Sequence, residues 1–155
     1  MSALWQILEP RCVQLELEAR RKDEALTEMV GLLVRAGRIR APEALLETLR
    51  ARERQVSTGI GDGIAIPHCV SPELVSTVLA LGRKREGIPF DAIDRRPVRL
   101  LFLLVGPEGQ QTAHLRLLSR LARLLRDRSF VEGLLAAESS QQVLETLRRA
   151  EQGEG

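Results

Sequence analysis

The sequence predicts an α/β sandwich. Short apolar, β-branched runs recur along the chain, amphipathic helical periods separate them, and the apolar content is almost wholly aliphatic. Hydrophobic residues make up 44% of the 155 positions and aromatics only 3%, so Leu, Val, Ile and Ala must build the core. A chain of this length can bury such a core in one domain. No internal repeat, low-complexity block or long linker divides it, so residues 1–155 read as one complete domain with an ordered core of about 4–150.

The elements follow in order. Val13-Gln-Leu-Glu-Leu17 alternates apolar and polar residues, as a half-buried strand does. Asp23 opens a helical period through Ala25, Leu26, Met29, Val30, Leu32 and Leu33, with Gly37 as its C-cap. Pro42 suits the first turn of a second helix, with Leu45, Leu46 and Leu49 on its buried side and an end near Arg52-Glu53-Arg54. A glycine-rich loop follows, and Gly63–Pro67 reads as a short buried strand. Val75–Leu81 is a strand running into Arg83-Lys84-Arg85. Gly87–Asp94 reads as loop. Val98–Val105 is the strongest strand, with a continuous apolar run that suits a central position and Gly106-Pro107 at its end. Thr112–Arg126 is an amphipathic helix with His114, Leu117, Leu118, Leu121, Leu124 and Leu125 on one face and Arg116, Arg120 and Arg123 opposite. Phe130–Ala137 and Gln141–Ala150 read as two further helices, and Glu151–Gly155 as a fraying tail.

Composition narrows the function classes. A net charge of +2 does not argue for nucleic acid. No apolar stretch approaches the roughly 20 residues that cross a bilayer, and no signal peptide is evident, so no membrane-embedded part is expected. Cys12 and Cys69 form no C-x-x-C pair, which fits free thiols in a reducing cytoplasm.

The most informative stretch is Ser57-Thr58-Gly59-Ile60-Gly61-Asp62-Gly63-Ile64-Ala65-Ile66-Pro67-His68. It sets one of only two histidines just after a loop with glycine at three alternate positions. Such a loop exposes N–H groups and admits a close neighbour, which suits an anion and phosphate above all. Imidazole titrates near neutrality, and its neutral form is a nucleophile. To carry a phosphoryl group, a protein must expose one ring nitrogen, hold the other, and supply donors and charge around the oxygens. His68 can be that nucleophile, N–H groups and hydroxyls of Ser57–Gly63 the donors, and Arg52 or Arg54 the charge. The plain alternative is an ordinary loop histidine after a proline. His114 is open in the same way: a core or cap histidine, or a partner to a group on His68.

Other constellations are weaker. Gly59-Ile-Gly61-Asp-Gly63 is neither G-x-G-x-x-G nor a P-loop, so no nucleotide site is supported. Cys12, Cys69, His68 and His114 lack zinc-finger spacing. Arg83-Lys84-Arg85 and the Arg116/Arg120/Arg123 face read as solvated surface, with a docking patch for an acidic partner as the alternative.

Taken together, Ser57–His68 resembles the phosphorylation-site motif of the enzyme IIA component of the bacterial phosphotransferase system, in its fructose/mannitol/nitrogen-regulatory branch. The likeness spans nearly the whole chain. Leu8–Leu33 is similar to the family's opening strand and helix. Phe90-Asp-Ala-Ile-Asp94 with Pro97-Val98 resembles the approach to its central strand. His114-Leu115 with Leu118 and Leu121 resembles its second histidine helix. The resemblance implies a mixed central β-sheet flanked by α-helices. It implies His68 as the phosphoacceptor on Nε2, His114 as the second active-site histidine and Arg52 as the active-site arginine. Ser57, Thr58 and Gly59 fall where the phosphoryl group is approached. One departure stands out: Cys69 occupies the place where the family usually has glycine, which puts the backbone or the docking partner in question.

The function implied is a phosphohistidine carrier, closest to the nitrogen-regulatory type. It takes the group from an HPr-type carrier with no cofactor and no metal, and has no nucleic-acid partner. Two alternatives stand beside it. One is a fructose/mannitol transport subunit passing phosphate to an enzyme IIB. The other is a non-catalytic module that binds a regulated transporter or kinase.

Overall fold

In the computed structural model, which describes residues 2–154, six strands form one mixed sheet with helices over it. The strands are β1 (Leu8–Gln14), β2 (Gly59–Gly61), β3 (Ile64–Ala65), β4 (His68–Ser71), β5 (Val78–Ile88) and β6 (Val98–Pro107). The helices are α1 (Leu4–Ile7), α2 (Lys22–Arg35), α3 (Pro42–Gln55), α4 (Gln111–Leu124), α5 (Arg128–Ala136) and α6 (Ser140–Glu154). The order is β1-β5-β6-β3-β2, and β4 also pairs with β6. β5 and β6 are antiparallel, whereas β1 on β5 and both β3 and β4 on β6 are parallel. Every residue of β6 except Arg99 is buried, as its unbroken apolar run predicts for a strand covered on both faces.

One register relation positions the site. Ile64 opposes Leu100 and His68 opposes Leu104, so β3 and β4 form one line along β6 that opens only at Ile66 and Pro67. Proline has no N–H for the ladder. Its carbonyl still accepts from the Leu104 N–H at 3.0 Å. His68 thereby opens β4 beside Leu104, toward the carboxyl end of β6.

Several expectations are met in detail. α2 closes with Gly37 N–H on the Val34 carbonyl and Arg38 N–H on the Leu33 carbonyl, both at 2.9 Å, the bonds of a Schellman motif. Pro42 opens α3, and Leu45 and Leu49 are buried.

Others are corrected. The first strand lies at Leu8–Gln14, not Val13–Leu17. Pro10 argues against a strand in sequence, but β1 is an edge strand whose register shifts between Leu8 and Val13, where a proline is tolerated. The glycine-rich segment is a β-hairpin: β2 and β3 pair antiparallel across Asp62-Gly63. Both turn residues take left-handed backbone, at φ 56° and 78°, which the Asp-Gly pair suits. Arg83 is not solvated surface. It lies inside β5, 3% exposed, and donates to the carbonyls of Leu134, Leu135 and Ala137 at the end of α5 and of Leu15. The tail does not fray at Glu151. α6 continues through it, and its carboxylate accepts from Leu4 and Trp5 N–H at 2.9 and 2.7 Å, capping α1. Gly155 lies outside the described residues.

Candidate functional site

β4 presents His68 half-buried, while Cys69 beneath it is 1% exposed, the alternation of an edge strand over a core. His68 Nδ1 lies 2.7 Å from the carbonyl oxygen of Ile66. A carbonyl can only accept, so Nδ1 carries the proton and the Nε2 lone pair is left free. That is the nitrogen a nucleophilic histidine must keep bare.

The second histidine arrives from the other side. After β6, the chain turns at Glu108-Gly109 and enters α4, whose first turn carries His114 back over the sheet. The two imidazole centroids are 6.0 Å apart and tilted by 42°. His114 is 9% exposed, and its Nδ1 has no hydrogen-bond partner among the described residues. A buried N–H without an acceptor is costly, so the proton belongs on Nε2, where it can be donated. Burial first, then His68 and the charge of Arg52, hold His114 below the usual imidazole value. A neutral donor near neutral pH results. Gly106 makes this approach possible: a Cβ there would lie 2.8 Å from His114 Nδ1.

Arg52 projects from the last turn of α3. Its guanidinium makes no hydrogen bond or ion pair with a described residue, yet its charge acts on both His114 and Cys69. An uncommitted cation whose charge is felt at His114 is a natural anion anchor. Arg54 is exposed, and only Arg52 contributes to the field at His114.

Ser57, Thr58 and Gly59 have other duties in this state. The Ser57 hydroxyl donates to the Phe90 carbonyl at 2.8 Å and accepts from Gly59 N–H at 3.1 Å. The Thr58 hydroxyl donates to Glu53, and the Thr58 N–H reaches the same carboxylate at 3.1 Å. The close approach that Gly59 permits is taken by the chain itself, since a Cβ there would lie 2.8 Å from that of Ala92. The two histidines therefore meet near the charge of Arg52, while the hydroxyls of Ser57 and Thr58 are engaged by Phe90 and Glu53.

Cys69 does not crowd the surface around His68. Burial pushes its thiol up to about 12, with Arg52 pulling weakly the other way. Cys12 is also buried and raised, and both cysteines are free. The two cysteines and two histidines form no metal-holding group among the described residues. No helix there is long and apolar enough to cross a membrane.

Four participants escape a reading of the sequence. Glu53 enters the sequence reading only beside Arg52 at the end of the second helix, yet it is 8% exposed and holds Thr58. Lys22 pairs with Glu53 at 2.8 Å. Ile66 contributes only a carbonyl. Gly106 reads as a strand terminator, and the sole clue to its role is that a histidine helix follows.

Comparison with known proteins identifies the family. A family profile described as "Phosphoenolpyruvate-dependent sugar phosphotransferase system, EIIA 2" matches residues 6–150. A "PTS system fructose-specific EIIA component" of Haloferax volcanii is 38% identical over 87% of this chain and 88% of its own length. A "PTS system fructose-specific EIIABC component" of Bacillus subtilis is 34% identical over 93% of this chain, which spans only 23% of that longer protein. The crystal structure of Nitrogen Regulatory Protein IIA-Ntr from Neisseria meningitidis superposes with a TM-score of 0.86 at 35% identity, covering 92% of this chain and 97% of that one. The chain belongs to the EIIA type 2 family of the phosphoenolpyruvate-dependent sugar phosphotransferase system.

Proposed function

We propose that this protein is a cytoplasmic phosphocarrier that accepts a phosphoryl group on His68 Nε2 from a phosphohistidine of an HPr-type carrier. The observation that carries the reading is the 2.7 Å contact of His68 Nδ1 with the Ile66 carbonyl, which leaves Nε2 as the bare nitrogen. The Nε2 lone pair attacks phosphorus as the donor's N–P bond breaks, and that electron pair returns to the donor nitrogen. Nδ1 keeps its proton, and the Ile66 carbonyl stabilises the positive ring that forms. His114 Nε2–H and the Arg52 guanidinium stabilise the phosphoryl oxygens, so positioning and charge carry the step. Reversal with a different acceptor passes the group on.

Phosphorylation adds about −1.5 to −2 charges at pH 7. On a chain of net charge +2 that is a change large enough to alter which partners dock. This favours a regulatory role of the kind named for the Neisseria neighbour. The 38% identity to a fructose-specific component supports a second reading, in which an enzyme IIB drains the group from His68. A purely non-catalytic module is less favoured, because Cys69 is buried away from the His68 surface.

The test is intact mass after incubation with phosphoenolpyruvate, enzyme I and an HPr-type carrier. One acid-labile phosphoryl group that is missing in His68→Ala supports the reading. No gain with cognate carriers, or a gain that persists in His68→Ala, overturns it.

A further inference from the structure

The Ile66 carbonyl can select the His68 tautomer only if something holds Ile66 itself. Backbone groups alternate sides along this stretch: the Gly63 and Pro67 carbonyls face β6, so the Ile66 N–H faces the β2 side. That N–H donates to the Thr58 carbonyl at 3.0 Å. Thr58 is in turn gripped twice by one carboxylate, through its hydroxyl and through its N–H at 3.1 Å. The carboxylate belongs to Glu53, whose side chain is 5% exposed, and it is paired with Lys22 Nζ at 2.8 Å. Lys22 also lies 4.8 Å from the centre of the Phe90 ring, and the Phe90 carbonyl accepts from Ser57. A continuous set of bonds therefore runs from the Lys22–Glu53 ion pair on α2 and α3 to the imidazole on β4.

We propose that Glu53 is a positioning residue for His68: through Thr58 and Ile66 it fixes the carbonyl that keeps the Nδ1 proton in place and Nε2 bare. The inference deepens the phosphocarrier reading and rests on it for its kinetic consequence. Charge-assisted hydrogen bonds from one carboxylate to both donors of Thr58 leave that residue little freedom. A carboxylate is the natural choice because it accepts at two oxygens at once while a third bond satisfies Lys22. A neutral, shorter side chain frees Thr58, and the Ile66 carbonyl loses its fixed direction. Glu53 does not touch the reacting atoms, so its loss weakens the reaction without abolishing it. The expected fall is on the order of tenfold, below the roughly 100-fold that a 1 Å misplacement can cost.

The test uses the full chain and two readouts. Nitrogen-15 spectra of the His68 ring report its tautomer near neutral pH, and the single-turnover rate with a phosphorylated HPr-type carrier reports transfer. The wild-type ring is expected to be Nδ1–H. In folded Glu53→Ala the ring is expected to populate both tautomers and the rate to fall about tenfold. Glu53→Gln keeps one acceptor for Thr58 and is expected to recover part of both readouts. Should Glu53→Ala not fold, the isosteric Thr58→Val carries the same test, because it removes one of the two bonds to Glu53. An unchanged tautomer in the folded variant overturns the proposal whatever the rate does, and so does an unchanged rate. Failure of the phosphocarrier reading appears differently: the wild-type protein takes up no phosphoryl group, while the tautomer readout stands.

Discussion

Replacing Cys69 with glycine, the residue the family resemblance leads one to expect there, tests whether this position belongs to the core or to the chemistry. The structure assigns it to the core: Cys69 pairs with Val105 in the ladder, and its side chain is 1% exposed. Glycine inside a strand costs roughly 0.5–1 kcal/mol relative to alanine. Deleting a small buried side chain adds about 1 kcal/mol, by analogy with single-methylene deletions. The sum is about 2 kcal/mol, or a fall in Tm of about 4–8 °C for a domain of this size. Phosphoryl uptake by the folded variant is expected to stay near the wild-type rate. With the thiol raised from 9.0 to about 12, its thiolate population near pH 8 drops on the order of a thousandfold, so native protein should resist iodoacetamide. The same shift has a pH signature. The unfolded chain loses the thiol proton first, so stability is fully present below about pH 9 and declines as pH rises toward 12. Cys69→Gly flattens that decline, leaving the smaller share of Cys12, which is raised in the same direction. Urea melts across this range, with phosphorylation assays beside them, measure all three effects. Fast alkylation of native Cys69 accompanied by loss of uptake refutes the reasoning, as does a folded Cys69→Gly protein that no longer accepts phosphate.

Three further outcomes are expected. Arg83→Met strips four carbonyls of their donor and should cost about 3–5 kcal/mol in urea unfolding, with α5 losing hydrogen-exchange protection first. Gly106→Ala puts a methyl 2.8 Å from His114 Nδ1, so the imidazole must shift; stability should fall by about 1–3 kcal/mol and transfer should slow although both histidines remain. His114 is held neutral by burial, so its contribution to stability is present above the unfolded value near 6.5 and is lost as pH falls below it; His114→Gln should show a shallower acid decline in urea midpoint.

Local pattern alone carried a good part of this protein. The leucine period of α4, the closing bonds around Gly37, the proline that opens α3 and the buried run of β6 follow from spacing and backbone chemistry, which need no distant partner. The position of His68 after Ile66-Pro67 was legible for the same reason. What failed were judgements that depend on a partner far along the chain. Arg83 sits in a basic run that reads as solvated, and only the return of α5 places Leu134, Leu135 and Ala137 carbonyls around it. Glu151 reads as a fraying end until α1 is brought to it from the other terminus. The site shows the same division. Sequence named His68, His114 and Arg52, while the 6.0 Å meeting of the two rings is made by β6 and α4 folding back over β4. The resemblance pointed to Nε2 of His68, and the tertiary structure supplies the physical ground, because the Ile66 carbonyl engages Nδ1. A side chain's chemistry is written in its residue type, but its tautomer, charge and reach are set by whichever groups the fold brings within hydrogen-bonding distance.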